Sequence, residues 1–107
     1  MTRLAEILAR LQATIEARRG GDPASSYTAR LLAAGPELAA KKFGEEAVET
    51  VIAAMQQNPD ALAAESADLL YHWLVLLAAS GVSPDAVAAK LEAREGRSGL
   101  EEKASRG

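Results

Sequence analysis

Leu4, Ile7, Leu8, Leu11 and Ile15 recur three and four residues apart, while Arg3, Glu6, Arg10 and Glu16 fall off that stripe. The spacing predicts an amphipathic helix over about 2–18. Gly20-Gly21-Asp22-Pro23 breaks it. Ser25 or Ser26 can cap a short second helix running through Ala34, and Gly35 stops it. Pro36 suits the first turn of a third helix, expected to reach about Gln57. Asn58-Pro59 makes a turn and a fresh cap for a fourth helix to about Ala79, ended by Ser80-Gly81. Ser83-Pro84-Asp85 opens a fifth, reaching about Arg94. β-Branched residues are too few to support a sheet, so the expected fold is all-α. Residues 1–95 read as one domain and 96–107 as a polar tail.

Around Glu65, Asp68 and His72 of the fourth helix stand Leu62, Leu69, Leu70, Trp73, Leu74, Val75, Leu76 and Leu77, which nearly encircle its second half. Apolar residues on nearly every side mark that half as buried. Composition limits what one chain can bury. Alanine supplies 24 of the 107 residues, and there are only one Phe, one Trp and two Tyr. Small side chains hide little area, at about 25 cal/mol per Å², and a domain this small covers only about two-thirds of its unfolded surface. An oligomer is therefore expected. Two copies of a helix three–helix four hairpin would form a four-helix-bundle-like core hiding Leu70, Trp73, Leu74 and Leu77 in a C2 homodimer.

Charge and residue usage exclude several classes. A net charge of −3 offers no basic patch for nucleic acid. Cysteine is absent and His72 is the only histidine, which excludes disulfides, thiolate sites and multi-histidine zinc sites within one chain. The start carries Glu6 and Arg10 where a signal peptide needs an apolar run. The longest strongly apolar stretch, 69–79, is interrupted by His72 and too short to span a membrane. A cytoplasmic protein with no membrane partner is the expectation.

Candidate chemistry lies in two acidic stretches. On the third helix, setting Glu45 at 0° puts Glu49 at about 40°, Lys42 at about 60° and Glu46 at about 100°. Phe43, Ala47, Val51 and Ala54 occupy the opposite face and are expected to meet the core. On the fourth helix Glu65 and Asp68 stack one turn apart, and His72 continues their stripe. The midpoint between the pair Glu46/Glu49 and the pair Glu65/Asp68 falls on residue 57, in the Gln57-Asn58 turn. An antiparallel helical hairpin thus brings all four carboxylates level across one interface. Four ionised acids that close repel, and burying them unpaired is costly, so a cation belongs among them. All-oxygen ligands favour a hard ion, Mg²⁺ or Mn²⁺. His72 reads as a core residue or a support behind the ligands. Lys41 and Lys42 read as surface charge, as phosphate contacts, or, for Lys42, as an i,i+4 partner of Glu46.

The acids have the form E-E-x-x-E, then E-x-x-D after fifteen residues. This resembles the MazG-like all-α nucleotide pyrophosphohydrolases. Three finer segments are similar to phosphoribosyl-ATP pyrophosphohydrolase of histidine biosynthesis: Ser26-Tyr27-Thr28-Ala29-Arg30-Leu31, Lys42-Phe43-Gly44-Glu45-Glu46-Ala47-Val48-Glu49 and Glu65-Ser66-Ala67-Asp68-Leu69-Leu70-Tyr71-His72. Arg97-Ser98-Gly99-Leu100-Glu101-Glu102-Lys103 is similar to that family's tail. Arg30 stands where the family usually has Lys after Tyr-Thr-Ala, which preserves charge but alters the geometry of the contact. Some members carry a fused cyclohydrolase, for which 107 residues leave no room.

The resemblance implies Mg²⁺-dependent hydrolysis of the α–β phosphoanhydride of phosphoribosyl-ATP, giving phosphoribosyl-AMP and pyrophosphate. It implies Glu46, Glu49, Glu65 and Asp68 as Mg²⁺ ligands. Glu45 follows as general base or as a holder of metal water. Lys42, with Lys41 or Arg30, would contact phosphates. The helix start at Ser26-Tyr27-Thr28 would take the phosphoribosyl phosphate. Other readings remain on the same residues. A MazG-like house-cleaning (d)NTP pyrophosphohydrolase shares the acids and is separated by a substrate panel. A di-iron bundle typically uses Glu-x-x-His pairs, whereas here Glu49 and Asp68 follow Glu46 and Glu65 at that spacing. A non-catalytic helical interaction module would not be stabilised by Mg²⁺.

Overall fold

Three of the five helices among the described residues begin on a proline, whose fixed φ suits a first turn that has no N–H bond to lose. The computed structural model describes residues 2–96. In chain order it contains α1 (Arg3–Ala17), α2 (Tyr27–Ala34), α3 (Pro36–Met55), α4 (Pro59–Ser80) and α5 (Pro84–Glu92), with no strand among the described residues. The tail segment Arg97–Lys103 and the rest of 97–107 lie outside the described residues.

Polar caps decide where four of these helices start. The side chains of Thr2, Ser26, Asn58 and Ser83 accept the N–H of Ala5, Ala29, Ala61 and Ala86. Each cap satisfies a donor the helix cannot and is worth about 1 kcal/mol. Ser26, not Ser25, caps α2. α3 has no such cap, because Gly35, at φ 92°, both closes α2 and opens α3. α3 stops at Met55, short of the expected Gln57. Gln57 takes a left-handed φ of 55°, which reverses the chain ahead of Asn58. α5 likewise ends at Glu92, before Arg94.

With only residues 56–58 between them, α3 and α4 fold back antiparallel, and their contact is the most extensive in the molecule. α4 also packs on α1 and α2. The buried core joins Ile15, Leu31, Ala39, Leu74 and Val75, with Leu8, Leu11, Tyr71 and Trp73 packed against it. The second half of α4 is thus the centre of the fold. By length and composition the 22-residue α4 is also long and apolar enough to cross a membrane, more than the 69–79 stretch alone suggests. Here three other helices pack on it, and Glu65 stands against the acids of α3.

Two expectations need correction. Val51 is 60% exposed instead of meeting the core, while Phe43, Ala47 and Ala54 are half-buried. α3 turns Ala39 and Ala53 inward instead, because small residues let the two hairpin helices approach closely. Leu74 is buried within the single chain, and Leu70, Trp73 and Leu77 are half-buried. Four of the large apolar residues left open share one face of α3: Val48, Val51, Ile52 and Met55, the last 75% exposed; Leu4, Tyr27, Val82 and Leu91 are open elsewhere.

Candidate active site

The antiparallel hairpin places Glu46 and Glu49, one turn apart on α3, against Glu65 on α4. One carboxylate oxygen from each lies within 4.8 Å of the others. Asp68, the next acid along α4, is exposed and outside that trio, although its charge acts on Glu65. Glu49 is exposed, while Glu46 and Glu65 are half-buried. Beside the trio lies a shallow cavity of about 190 Å³, lined by Glu49, Ile52, Ala53, Gln56, Ala61 and Glu65.

The trio is electrostatically uncomfortable. Glu49 raises the Glu65 carboxyl above the usual carboxylate range, first as hydrogen-bond partner of its protonated form. Burial and the charges of Glu49, Glu46 and Asp68 push the same way. Glu46 Oε2 and Glu65 Oε2 are both shut off from solvent and have no hydrogen-bond partner. Buried oxygens of this kind are normally satisfied, and two of them within an all-oxygen cluster fit a hard divalent cation. The donor set also excludes soft-metal chemistry, since it contains no sulfur or nitrogen.

The basic and neighbouring candidates are distributed around this cluster. Lys42 Nζ lies 3.6 Å from Glu45 Oε2, so it pairs with Glu45 and not with Glu46. A partly exposed pair of this kind contributes little to stability and leaves the lysine available to another anion. Lys41 is exposed. Arg30, on the exposed side of α2, bonds among the described residues only through Nε, donating to the Pro23 carbonyl at 3.4 Å. Ser26 Oγ accepts the Ala29 N–H at 3.1 Å, so its own proton is free to be donated elsewhere.

His72 is buried, and its role follows from its partners. Nδ1 is 2.9 Å from the Asp68 carbonyl. A carbonyl oxygen only accepts, so Nδ1 carries the proton. Nε2 faces the Tyr27 hydroxyl at 3.5 Å. Tyr71 stands edge-on to His72, with ring centroids 4.9 Å apart, and its hydroxyl bonds to Thr28. Tyr71 and His72 therefore hold the start of α2 against α4. Burial raises the Tyr71 phenol above its ordinary value, and the Thr28 bond works against that shift.

One residue escaped the reading of the sequence. Thr50 Oγ1 donates to the Glu46 carbonyl at 2.7 Å and reaches the Glu65 carbonyl at 3.3 Å. The available signal was its position, four residues after Glu46 and opposite Glu65 about the Gln57 turn.

Comparison with known proteins adds independent support. The model of a family described as phosphoribosyl-ATP pyrophosphohydrolase matches residues 8–95. A phosphoribosyl-ATP pyrophosphatase of Caulobacter vibrioides (strain NA1000 / CB15N) is 76% identical over 104 residues, covering 97% of this chain and 96% of the relative. Proteins of the same name from Parvibaculum lavamentivorans and Cereibacter sphaeroides (strain KD131 / KCTC 12085) are 62% identical over 100 residues and 60% identical over 101. Each alignment covers 94% of this chain, with 92% and 98% of the respective relative.

Proposed function

The chain belongs to the phosphoribosyl-ATP pyrophosphohydrolase family, and from that premise we propose that it hydrolyses phosphoribosyl-ATP to phosphoribosyl-AMP and pyrophosphate, in histidine biosynthesis, with Mg²⁺ as cofactor. It is an enzyme, a phosphoribosyl-ATP pyrophosphatase. The observation that carries the metal-dependent reading is the pair of orphaned, buried oxygens on Glu46 and Glu65 within one oxygen cluster.

Glu46, Glu49, Glu65 and Asp68 would hold the cation, with Mn²⁺ able to replace Mg²⁺. When bound, it neutralises triphosphate charge and makes water a better nucleophile at neutral pH. Glu45 stands one residue off the ligand ridge, exposed to solvent, and is placed to take a proton from the attacking water or to hold that water. Lys42 and Lys41 stand one turn before the acids and add fixed positive charge for the polyphosphate. At the other end of the substrate, the start of α2 offers the Tyr27 and Thr28 N–H groups, which have no partner within the helix, together with the Ser26 hydroxyl proton. Arg30, one turn on, supplies the positive charge that makes this a site for the phosphoribosyl phosphate. His72 does not ligate in this scheme. Its bonds set the heights of Tyr27 and the Asp68 turn.

A second copy of the chain covers the open face of α3. Val48, Val51, Ile52 and Met55 form an exposed apolar stripe on the hairpin helix, and pairing two hairpins through it produces a four-helix bundle in a homodimer. The compartment proposed for this nucleotide hydrolase is the cytoplasm.

A substrate panel tests the activity. Purified protein with Mg²⁺ is given phosphoribosyl-ATP, ATP and the four dNTPs, and pyrophosphate is measured apart from phosphate. Pyrophosphate released chiefly from phosphoribosyl-ATP is the expected result. Faster release from dNTPs overturns the substrate, and release of single phosphates overturns the bond cleaved.

A further inference from the structure

We propose that Thr50 is a positioning residue for the acidic cluster, its hydroxyl setting the height of Glu46 and Glu49 on α3 against Glu65 on α4. The inference rests on the metal reading above and deepens it.

The Thr50 hydroxyl has one proton and two carbonyl acceptors, Glu46 at 2.7 Å and Glu65 at 3.3 Å. The shorter contact is a common habit of threonine in helices, which bond back to the carbonyl four residues earlier. The longer one crosses to the other helix. Both acceptors belong to residues whose side chains form the acid trio. The hydroxyl therefore ties together the backbones of the two half-buried acids, one on each helix, at the level where their carboxylates meet.

Such a tie is needed there for two reasons. Ala53 and Ala61 flank the seam just beyond the trio. Small side chains make shallow ridges that resist sliding poorly. The acids themselves repel one another, since one carboxylate oxygen of each lies within 4.8 Å of the others. A dipole fixed between the two backbones keeps the oxygens within reach of a common ion, which pairing of apolar surfaces does not specify. Residues that orient metal ligands from behind typically change metal affinity by roughly 10- to 100-fold when replaced.

The test uses Mn²⁺ as probe, titrated into the full-length protein and followed by the loss of its free electron paramagnetic resonance signal. Thr50→Val keeps the branched shape and removes the hydroxyl. Thr50→Ser keeps the hydroxyl and removes the methyl. The expected result is a Mn²⁺ dissociation constant raised at least about tenfold in Thr50→Val and restored to near wild type in Thr50→Ser. Turnover in Thr50→Val should recover at saturating metal. Equal Mn²⁺ affinity in Thr50→Val and wild type overturns the inference, and so does Thr50→Ser binding as weakly as Thr50→Val. Should Thr50→Val fail to fold, the difference between Thr50→Ser and Thr50→Ala reads the hydroxyl in the same way. Wild-type protein that binds no Mn²⁺ overturns the metal reading itself, a failure distinct from the others because it precedes any substitution.

Discussion

Glu49 on α3 stands against Glu65 on α4 closely enough to raise the proton affinity of the Glu65 carboxyl above that of an ordinary glutamate. The hairpin that brings these acids together therefore carries a stability cost in the metal-free protein, and that cost depends on pH. The folded state binds the Glu65 proton more tightly than the unfolded chain does. Stability from this group is full below the ordinary value of 4.5 and is lost as pH rises through the higher value of the folded state. Metal-free Glu49→Gln should melt with wild type near pH 4 and above it near pH 7, and Mg²⁺ should reverse that order. Thermal melts in EDTA across this range check the prediction. A gap between the two proteins that does not grow with pH would mean that Glu49 is not what perturbs Glu65.

With metal present the same substitution should act in the opposite direction. Glu49→Gln keeps size and hydrogen-bonding capacity but removes one of the trio's negative charges. Turnover should fall by about two orders of magnitude or more, a loss of roughly 3 kcal/mol of transition-state stabilisation. Helical ellipticity should be unchanged, and Mg²⁺ affinity by calorimetry should fall. Near-wild-type turnover would remove Glu49 from the ligand set.

The acids could be placed from the sequence because helical geometry and a short turn leave little freedom. Glu46 and Glu49 one turn apart, Glu65 beyond a turn at Asn58, and an antiparallel return are enough to bring three carboxylates together. Asp68 shares the helical face of Glu65 yet stays exposed outside the trio, because spacing fixes a face and not the direction in which a side chain points. Lys42 selected Glu45 over Glu46 for a similar reason, both being within a turn. Val51 marks a different limit. Periodicity identifies an apolar stripe but not the element that covers it, and the other described residues leave this one bare. Thr50 was invisible as more than a helical threonine, since its second acceptor belongs to another helix.

The bare stripe on α3 gives the homodimer a direct test. Val51 and Met55 are the most exposed of the four residues, and a twofold axis places each in the interface twice. Val51→Glu should remove about 1.5 kcal/mol of apolar burial per copy. Summed over two copies, that weakens dimerisation by roughly 100-fold. Sedimentation velocity should then show monomers at concentrations where wild type is dimeric, with helical content retained. Wild type that runs as a fully active monomer at micromolar concentration would overturn the homodimer.

Substrate choice depends on a group that the acidic cluster cannot serve. Phosphoribosyl-ATP carries a phosphate on the added ribose, well separated from the triphosphate, and a cation held by Glu46, Glu49, Glu65 and Asp68 would neutralise only the latter. The phosphoribosyl end needs its own donors, and Arg30 fits the requirement: it is exposed on α2, one turn from the capping Ser26, and spends only Nε on Pro23. Among the described residues its two terminal nitrogens meet no acceptor, and they can grip a phosphate in a charge-assisted pair. A hydrogen bond of that kind is worth about 1.5–3 kcal/mol, or roughly 10- to 150-fold in kcat/KM. ATP lacks the group, so wild type should hydrolyse it at least that much more slowly. Arg30→Ala should lower kcat/KM for phosphoribosyl-ATP by the same factor and leave the slow ATP reaction nearly unchanged, narrowing the ratio between the two substrates. Arg30→Lys should recover part of the loss, since it restores the charge without the fork. Equal losses on both substrates would instead place Arg30 at the triphosphate or in the support of α2.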